Sequence, residues 1–259
     1  MEIVFSKFQG TGNDFILLDN LKGDFSLLSI RQIQFLCDRK FGIGADGLIK
    51  INASEGFDFE MEYFNSDGSQ SFCGNGARCA VAFAKDKIQT PLKHRFIAID
   101  GEHSYHWKEG MVAIDMKDVH QIFPCGEDFI AHTGSPHYVK FSDDLSNQHT
   151  VNFGKQIRYS EAFEKEGINV NLVSLRSEKS ISISTYERGV EDETLSCGTG
   201  ATACALVYAD KLGLTTGPIV VQTKGGELQV DFIKREDGFS SICLSGPAEF
   251  VFNGNLQLA

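Results

Sequence analysis

A chain of 259 residues, 42% hydrophobic and 23% charged, has the make-up of a soluble globular protein with material for two domains. Its formal charge of −11 argues against nucleic acid or an anionic membrane as a partner. No apolar run is long enough to cross a bilayer and MEIVFSKFQG is not a leader, so a cytoplasmic protein is expected.

In chain order, alternating or short apolar runs predict strands at Ile3–Phe8, Phe15–Asp19, Phe57–Phe64, Phe96–Asp100 and Met111–Met116. The second half predicts strands at Phe129–Thr133, His137–Phe141, Asn169–Leu175, Ser180–Tyr186, Ile219–Thr223, Glu227–Ile233, Ser241–Leu244 and Glu249–Phe252. Helical patterns fall at Ser29–Arg39, with Ser29 as N-cap, and at Gly76–Lys87, Lys155–Lys165 and Gly200–Lys211, the last stopped by Gly213. Many strands and one central helix per half predict an α+β protein of two units, each wrapping a sheet around a helix. The expected boundaries are 1–117 and 118–246, with a tail from Pro247 to Ala259.

The most telling motif occurs twice. Cys73-Gly74-Asn75-Gly76-Ala77 returns in the second half as Cys197-Gly198-Thr199-Gly200-Ala201, each copy opening an alanine-rich helix. A helix N-terminus offers unpaired N–H groups and partial positive charge, which favours a thiolate and can hold a carboxylate. Glycine lets the backbone approach a ligand without a Cβ in the way. Two such turns on one carboxylate would set a sulfur on each face of its α-carbon, one thiolate to take the proton and one thiol to return it. Cys37, Cys79, Cys125, Cys204 and Cys243 read as core residues. Seven scattered cysteines without zinc-like spacing suit a reducing compartment and predict no metal. No P-loop is present, and Gly42–Gly47 is read as having the wrong spacing for a nucleotide fingerprint, so no cofactor is expected.

FNSDGSQSFCGNGARC (Phe64–Cys79) and YERGVEDETLSCGTGATAC (Tyr186–Cys204) resemble the two active-site segments of the diaminopimelate epimerase family. KFQGTGNDF (Lys7–Phe15), DRKFGIGADGLI (Asp38–Ile49), TGSPHYV (Thr133–Val139) and INVNLV (Ile168–Val173) resemble that family's other blocks, in order along nearly the whole chain. The resemblance implies a PLP-independent epimerase acting on diaminopimelate, an α/β fold of two pseudo-symmetric domains with the site in the cleft between them, a homodimer, and a tail from Pro247 that packs on the first domain. It makes Cys73 and Cys197 the acid/base pair, with Gly74, Asn75, Gly198 and Thr199 holding the reacting carboxylate. Asn13, Asn65, Asn169 and Arg188 match substrate-binding positions, Glu187 a residue beside the second thiol, and His137 a histidine near the first.

Gly47 occupies a position that is Gln in some members, and its GADG form is a familiar variant. The chain departs from the family pattern in two places. Ser135 stands where Asn commonly precedes the Pro-His pair, leaving room for a bridging water. The Asn65–Cys73 segment is one residue short. These bear on the substrate's far end. Two other readings therefore stay open: a cofactor-independent racemase or epimerase of the proline, hydroxyproline or histidine type, and a non-catalytic thiol sensor on the same fold.

Overall fold

In the computed structural model, which describes residues 1–88 and 91–258, the run Phe15–Leu18 explains the architecture of its half of the chain. All four side chains are buried, and they point alternately to opposite faces of a sheet. Phe15 and Leu17 join one core with Ile49, Met61 and Phe96, while Ile16 and Leu18 join another with Ile33 and Leu36. A strand buried on both faces shows a continuous apolar run instead of alternation. Fully burying each such side chain is worth about 1.5–3 kcal/mol.

Residues Met1–Ile114, with the segment from Pro247, make one compact unit, and Asp115–Gly246 make the other. The first opens with antiparallel β1 (Glu2–Gly10) and β2 (Asn13–Asn20). Helix α1 (Ile30–Cys37) follows, then β3 (Gly47–Asn52) parallel to β2 and β4 (Phe59–Asn65) antiparallel to β3. Helix α2 (Gly74–Ala84) comes next, then β5 (Arg95–Ala98) parallel to β4, and the antiparallel strands β6 (Gly101–Lys108) and β7 (Met111–Asp115). Helix α1 covers one face of the sheet and α2, buried along nearly its whole length, covers the other. Ser29 caps α1 with a full capping box to Gln32, as its sequence predicts.

The second unit repeats this order. Antiparallel β8 (Ile122–Cys125), β9 (Asp128–His132) and β10 (Pro136–Phe141) lead to α3 (Asn147–Arg158) and then β11 (Asn169–Ser177), parallel to β10. Antiparallel β12 (Ser180–Glu187) and the short β13 (Asp192–Thr194) precede α4 (Gly198–Leu212). Then come β14 (Ile219–Thr223), parallel to β12, and antiparallel β15 (Gly226–Arg235) and β16 (Gly238–Gly246). The core helix is α4, surrounded by Val139, Val173, Ile181, Val221 and Leu244, while α3 packs on the opposite face against Tyr186. Gly154 makes that approach possible, since a Cβ there would lie 2.4 Å from the Tyr186 ring. The last strand, β17 (Glu249–Gln257), runs antiparallel to β1 and so belongs to the first unit. The α+β class and the one-central-helix plan are those the sequence predicts.

Several elements differ from expectation. The third helix spans Asn147–Arg158 and not Lys155–Lys165: Ser146 caps it by accepting from the His149 N–H, and residues 160–166 form turns. Strands β3, β6, β8 and β13 were not expected. Gly42–Gly47 does have G-x-G-x-x-G spacing, but it follows a helix and leads into a strand. A dinucleotide-binding turn needs the reverse setting, strand first and helix after. Ala259, the end of the expected tail, lies outside the described residues.

Candidate active site

Each Cys-Gly-x-Gly turn forms the entry to the central helix of its own unit. Cys73 is the N-cap of α2, with extended backbone (φ −129°, ψ 111°), and its sulfur accepts the Gly76 N–H at 3.5 Å. Cys197 is the N-cap of α4 in nearly the same conformation (φ −120°, ψ 113°) and is only 8% exposed. The two glycines after Cys73 differ in purpose. A Cβ on Gly76 would press on Ile49, Met61 and Phe15, whereas a Cβ on Gly74 would meet nothing within 4 Å. The open space at Gly74 is room for a ligand to approach the first N–H groups of α2.

In the first unit, Asn75 is buried, donates to Asn13 Oδ1 at 3.1 Å and accepts from Arg78 Nη2 at 2.9 Å. Asn13 in turn donates to Asp46 Oδ2 at 2.5 Å. Arg39 ties Asp46 to Asp14, and Lys7 pairs with Asp14 at 2.7 Å. Burial pushes the Asp14 carboxyl up, but hydrogen bonds from Arg39 and Lys7 outweigh it and hold the group at about 2. Asn65 accepts from Tyr63 and donates to Ser69 and Ser71, so its amide is engaged by its own short loop. At Gly47 a Cβ would lie 2.3 Å from the Tyr63 ring, so a longer residue could not stand there without moving that ring.

Sequence reasoning passed over Arg78, whose side chain is fully buried. Its guanidinium donates to Thr11, Asn75 and the Pro247 carbonyl, Nη1 has no partner, and among the described residues no carboxylate pairs with it. The available signal was a lone cation inside an alanine-rich helix.

In the second unit, Ser135, His137, Asn169 and Thr199 converge. His137 is fully buried, and its Nε2 lies 2.9 Å from both Ser135 Oγ and Thr199 Oγ1. Asn169 donates to Ser135 Oγ at 3.1 Å and to the Pro136 carbonyl at 3.2 Å, and accepts the Arg188 N–H at 2.9 Å. Ser135 thus bonds directly to His137, Thr199 and Asn169. Within its own unit His137 contacts Ser135, Asn171 and Thr199, the last on the turn that carries Cys197. Burial, reinforced by repulsion from His132, lowers its pKa to about 3, so the ring is neutral at ordinary pH. Glu187 sits at the end of β12, where burial raises its pKa, and the Arg188 side chain donates to the Glu166 carbonyl. Gly198 begins α4. A Cβ on Gly200 would lie 2.7 Å from Asn171 Oδ1.

Asn171 was also missed, though it follows Asn169 by two residues and so shares its face of β11. Burial holds three of the remaining cysteines as thiols. Burial pushes Cys37 and Cys79 up to about 12 and Cys204 well above its usual range. Cys243 is buried, while Cys125 is half-buried.

Comparison with known proteins bears on both halves. The family described as diaminopimelate epimerase matches twice, over residues 5–127 and 129–251. A diaminopimelate epimerase of Flavobacterium psychrophilum is 48% identical over 248 residues, covering 95% of this chain and 97% of that one. One from Chlorobaculum tepidum is 40% identical, covering 96% and 99%. Among solved structures, a PhzF-family phenazine biosynthesis protein of Bacillus anthracis has a TM-score of 0.72 at 14% identity, covering 100% of both chains, a likeness of fold alone.

Proposed function

Since this chain belongs to the diaminopimelate epimerase family, we propose that it interconverts LL- and meso-diaminopimelate by passing a proton between Cys73 and Cys197 across one α-carbon. The observation that carries this reading is the repeated turn: in each unit a cysteine caps the buried central helix and two glycines flank the first helical positions. The α-proton of an amino acid is weakly acidic because its loss adds charge to the carboxylate. Backbone N–H groups at Gly74 and Asn75, and at Gly198 and Thr199, would stabilise that charge as it develops. One sulfur, as thiolate, takes the proton and becomes a thiol, and the electron pair moves into the carboxylate. The other sulfur gives its proton to the opposite face and is left as thiolate, ready for the reverse reaction. No cofactor is required to carry electrons, because proton loss and gain leave the oxidation state unchanged.

The far end of the substrate carries a second carboxylate and ammonium. Arg188 suits that carboxylate and the amides of Asn13, Asn65 and Asn169 can serve either group, while Glu187, beside the second thiol, would accept from a substrate ammonium. Gly47 contributes backbone only, and Ser135 with His137 supports the Cys197 turn. We further infer a homodimer, for which the exposed Phe250, Val251 and Phe252 on β17 offer an apolar surface. A reducing cytoplasm fits the free cysteines. Among the described residues no helix is long and apolar enough to cross a membrane.

The test is isomerisation of LL-diaminopimelate in deuterated water beside a panel of other amino acids, proline and hydroxyproline included. Solvent deuterium should enter diaminopimelate alone, and Cys73→Ala and Cys197→Ala should each abolish inversion. Exchange confined to another amino acid would overturn the substrate, and turnover surviving both changes would overturn the two-base assignment.

A further inference from the structure

The proton positions around Cys197 follow from counting donors and acceptors. Asn171 is buried, with its amide nitrogen 2.9 Å from the Tyr138 carbonyl, which can only accept. That contact fixes which end of the amide is NH₂, and the same nitrogen lies 3.2 Å from His137 Nδ1. Nδ1 therefore accepts, and the neutral ring must carry its proton on Nε2. Asn169 is fixed likewise by the Pro136 carbonyl, so its amide donates to Ser135 Oγ. Ser135 must then give its own proton to Thr199 Oγ1, 3.2 Å away, because Nε2 is already protonated. The Nε2 proton lies between Ser135 Oγ and Thr199 Oγ1, each 2.9 Å away, so neither hydroxyl can donate to the ring, and Thr199 Oγ1 accepts from Ser135. Its single proton has one place left, Cys197 Sγ at 3.4 Å.

We propose that Asn171, His137 and Ser135 are positioning residues that aim the Thr199 hydroxyl at Cys197 and so hold that sulfur as a thiolate. This rests on the reading of Cys197 as a proton-transfer group and deepens it: Thr199 contributes its side chain as well as its backbone, and His137 acts as a fixed donor instead of shuttling protons. The other titratable groups around the cluster are His132 on β9, Glu187 and Arg188 at the end of β12, and Cys204 on α4. Arg188 carries a charge that favours a thiolate, and it is tied to the Glu166 carbonyl.

Two measurements on the full chain test this. In wild-type protein, ¹⁵N NMR of labelled histidines should show His137 as the neutral Nε2–H tautomer from pH 8 to pH 5; an Nδ1–H tautomer, or an imidazolium at pH 7, would overturn the scheme. The second is the pH dependence of iodoacetamide alkylation at Cys197, read by peptide mass. A hydrogen bond to a charged group is worth enough that Thr199→Val should raise the midpoint by about one pH unit. Thr199→Ser should restore it, and kcat should fall more than KM rises in the valine variant. An unchanged midpoint in Thr199→Val would sink the proposal even if turnover were lost, while leaving the two-thiol reading untouched. A shifted midpoint in a protein inactive on diaminopimelate would support the proton scheme and count against the substrate.

Discussion

His137 shows how burial converts a titratable group into a structural one. Folded, it holds a proton only below about 3, against an ordinary value of 6.5. Between these values the unfolded chain binds the extra proton and the folded chain does not, so stability rises with pH across that interval. The contribution is complete above 6.5 and is lost as the pH falls towards 3. Urea midpoints measured from pH 7.5 to pH 4.5 should fall more steeply for wild type than for His137→Gln. Parallel slopes would mean the ring titrates normally. The neighbouring residues were unevenly legible in the sequence. Asn169 and Thr199 came through matches to family positions, whereas Asn171, in the same INVNLV block, has as its one local sign the face it shares with Asn169; its partners Tyr138, His137 and Thr185 lie on neighbouring strands. Arg78 was hidden the same way, since its partners Thr11 and Pro247 are distant in sequence.

At the scale of elements, the glycines of the two helix-opening turns separate packing from ligand approach. Gly200→Ala would drive a methyl group to within 2.7 Å of Asn171 Oδ1 and should cost about 1–3 kcal/mol, seen as a lower melting temperature. Gly74→Ala meets open space, so its melting temperature should hold while kcat/KM drops, because the methyl group stands where the carboxylate enters. Equal destabilisation by the two changes would contradict this division. Helices α1, α2 and α4 were legible because each has a clear stop or start: Ser29, the Cys-Gly turns and Gly213. Helix α3 was not. Its first turn is polar, and the run Glu161–Glu166 has helical composition but folds as turns. Strand β3 was missed for a related reason, as Gly47 and Lys50 interrupt its apolar pattern while Lys50 is in fact buried in an ion pair with Glu62.

For the molecule as a whole, the repeated order of elements explains why the family match falls in two parts and why the motif occurs twice. The first unit nonetheless depends on the far end of the chain. Strand β17 pairs along β1 from Glu2 to Gln9, Phe252 and Phe250 stack edge-on against Phe5 and Phe8, and Pro247 supplies an acceptor to Arg78. Deleting residues from Pro247 onward should therefore lower the melting temperature and remove epimerase turnover, though the truncated segment contains neither cysteine of the pair. Circular dichroism and the deuterium-exchange assay would check this; an active, equally stable truncation would show the strand to be dispensable.

The bond of 2.7 Å between the amino group of Met1 and the Leu258 carbonyl carries the pairing of β1 with β17 past the ends of both strands. During synthesis the half made first must wait for β17, since until then β1 has β2 on one side and no strand on the other. The half made second has all its strands in one continuous stretch and can mature without such a delay.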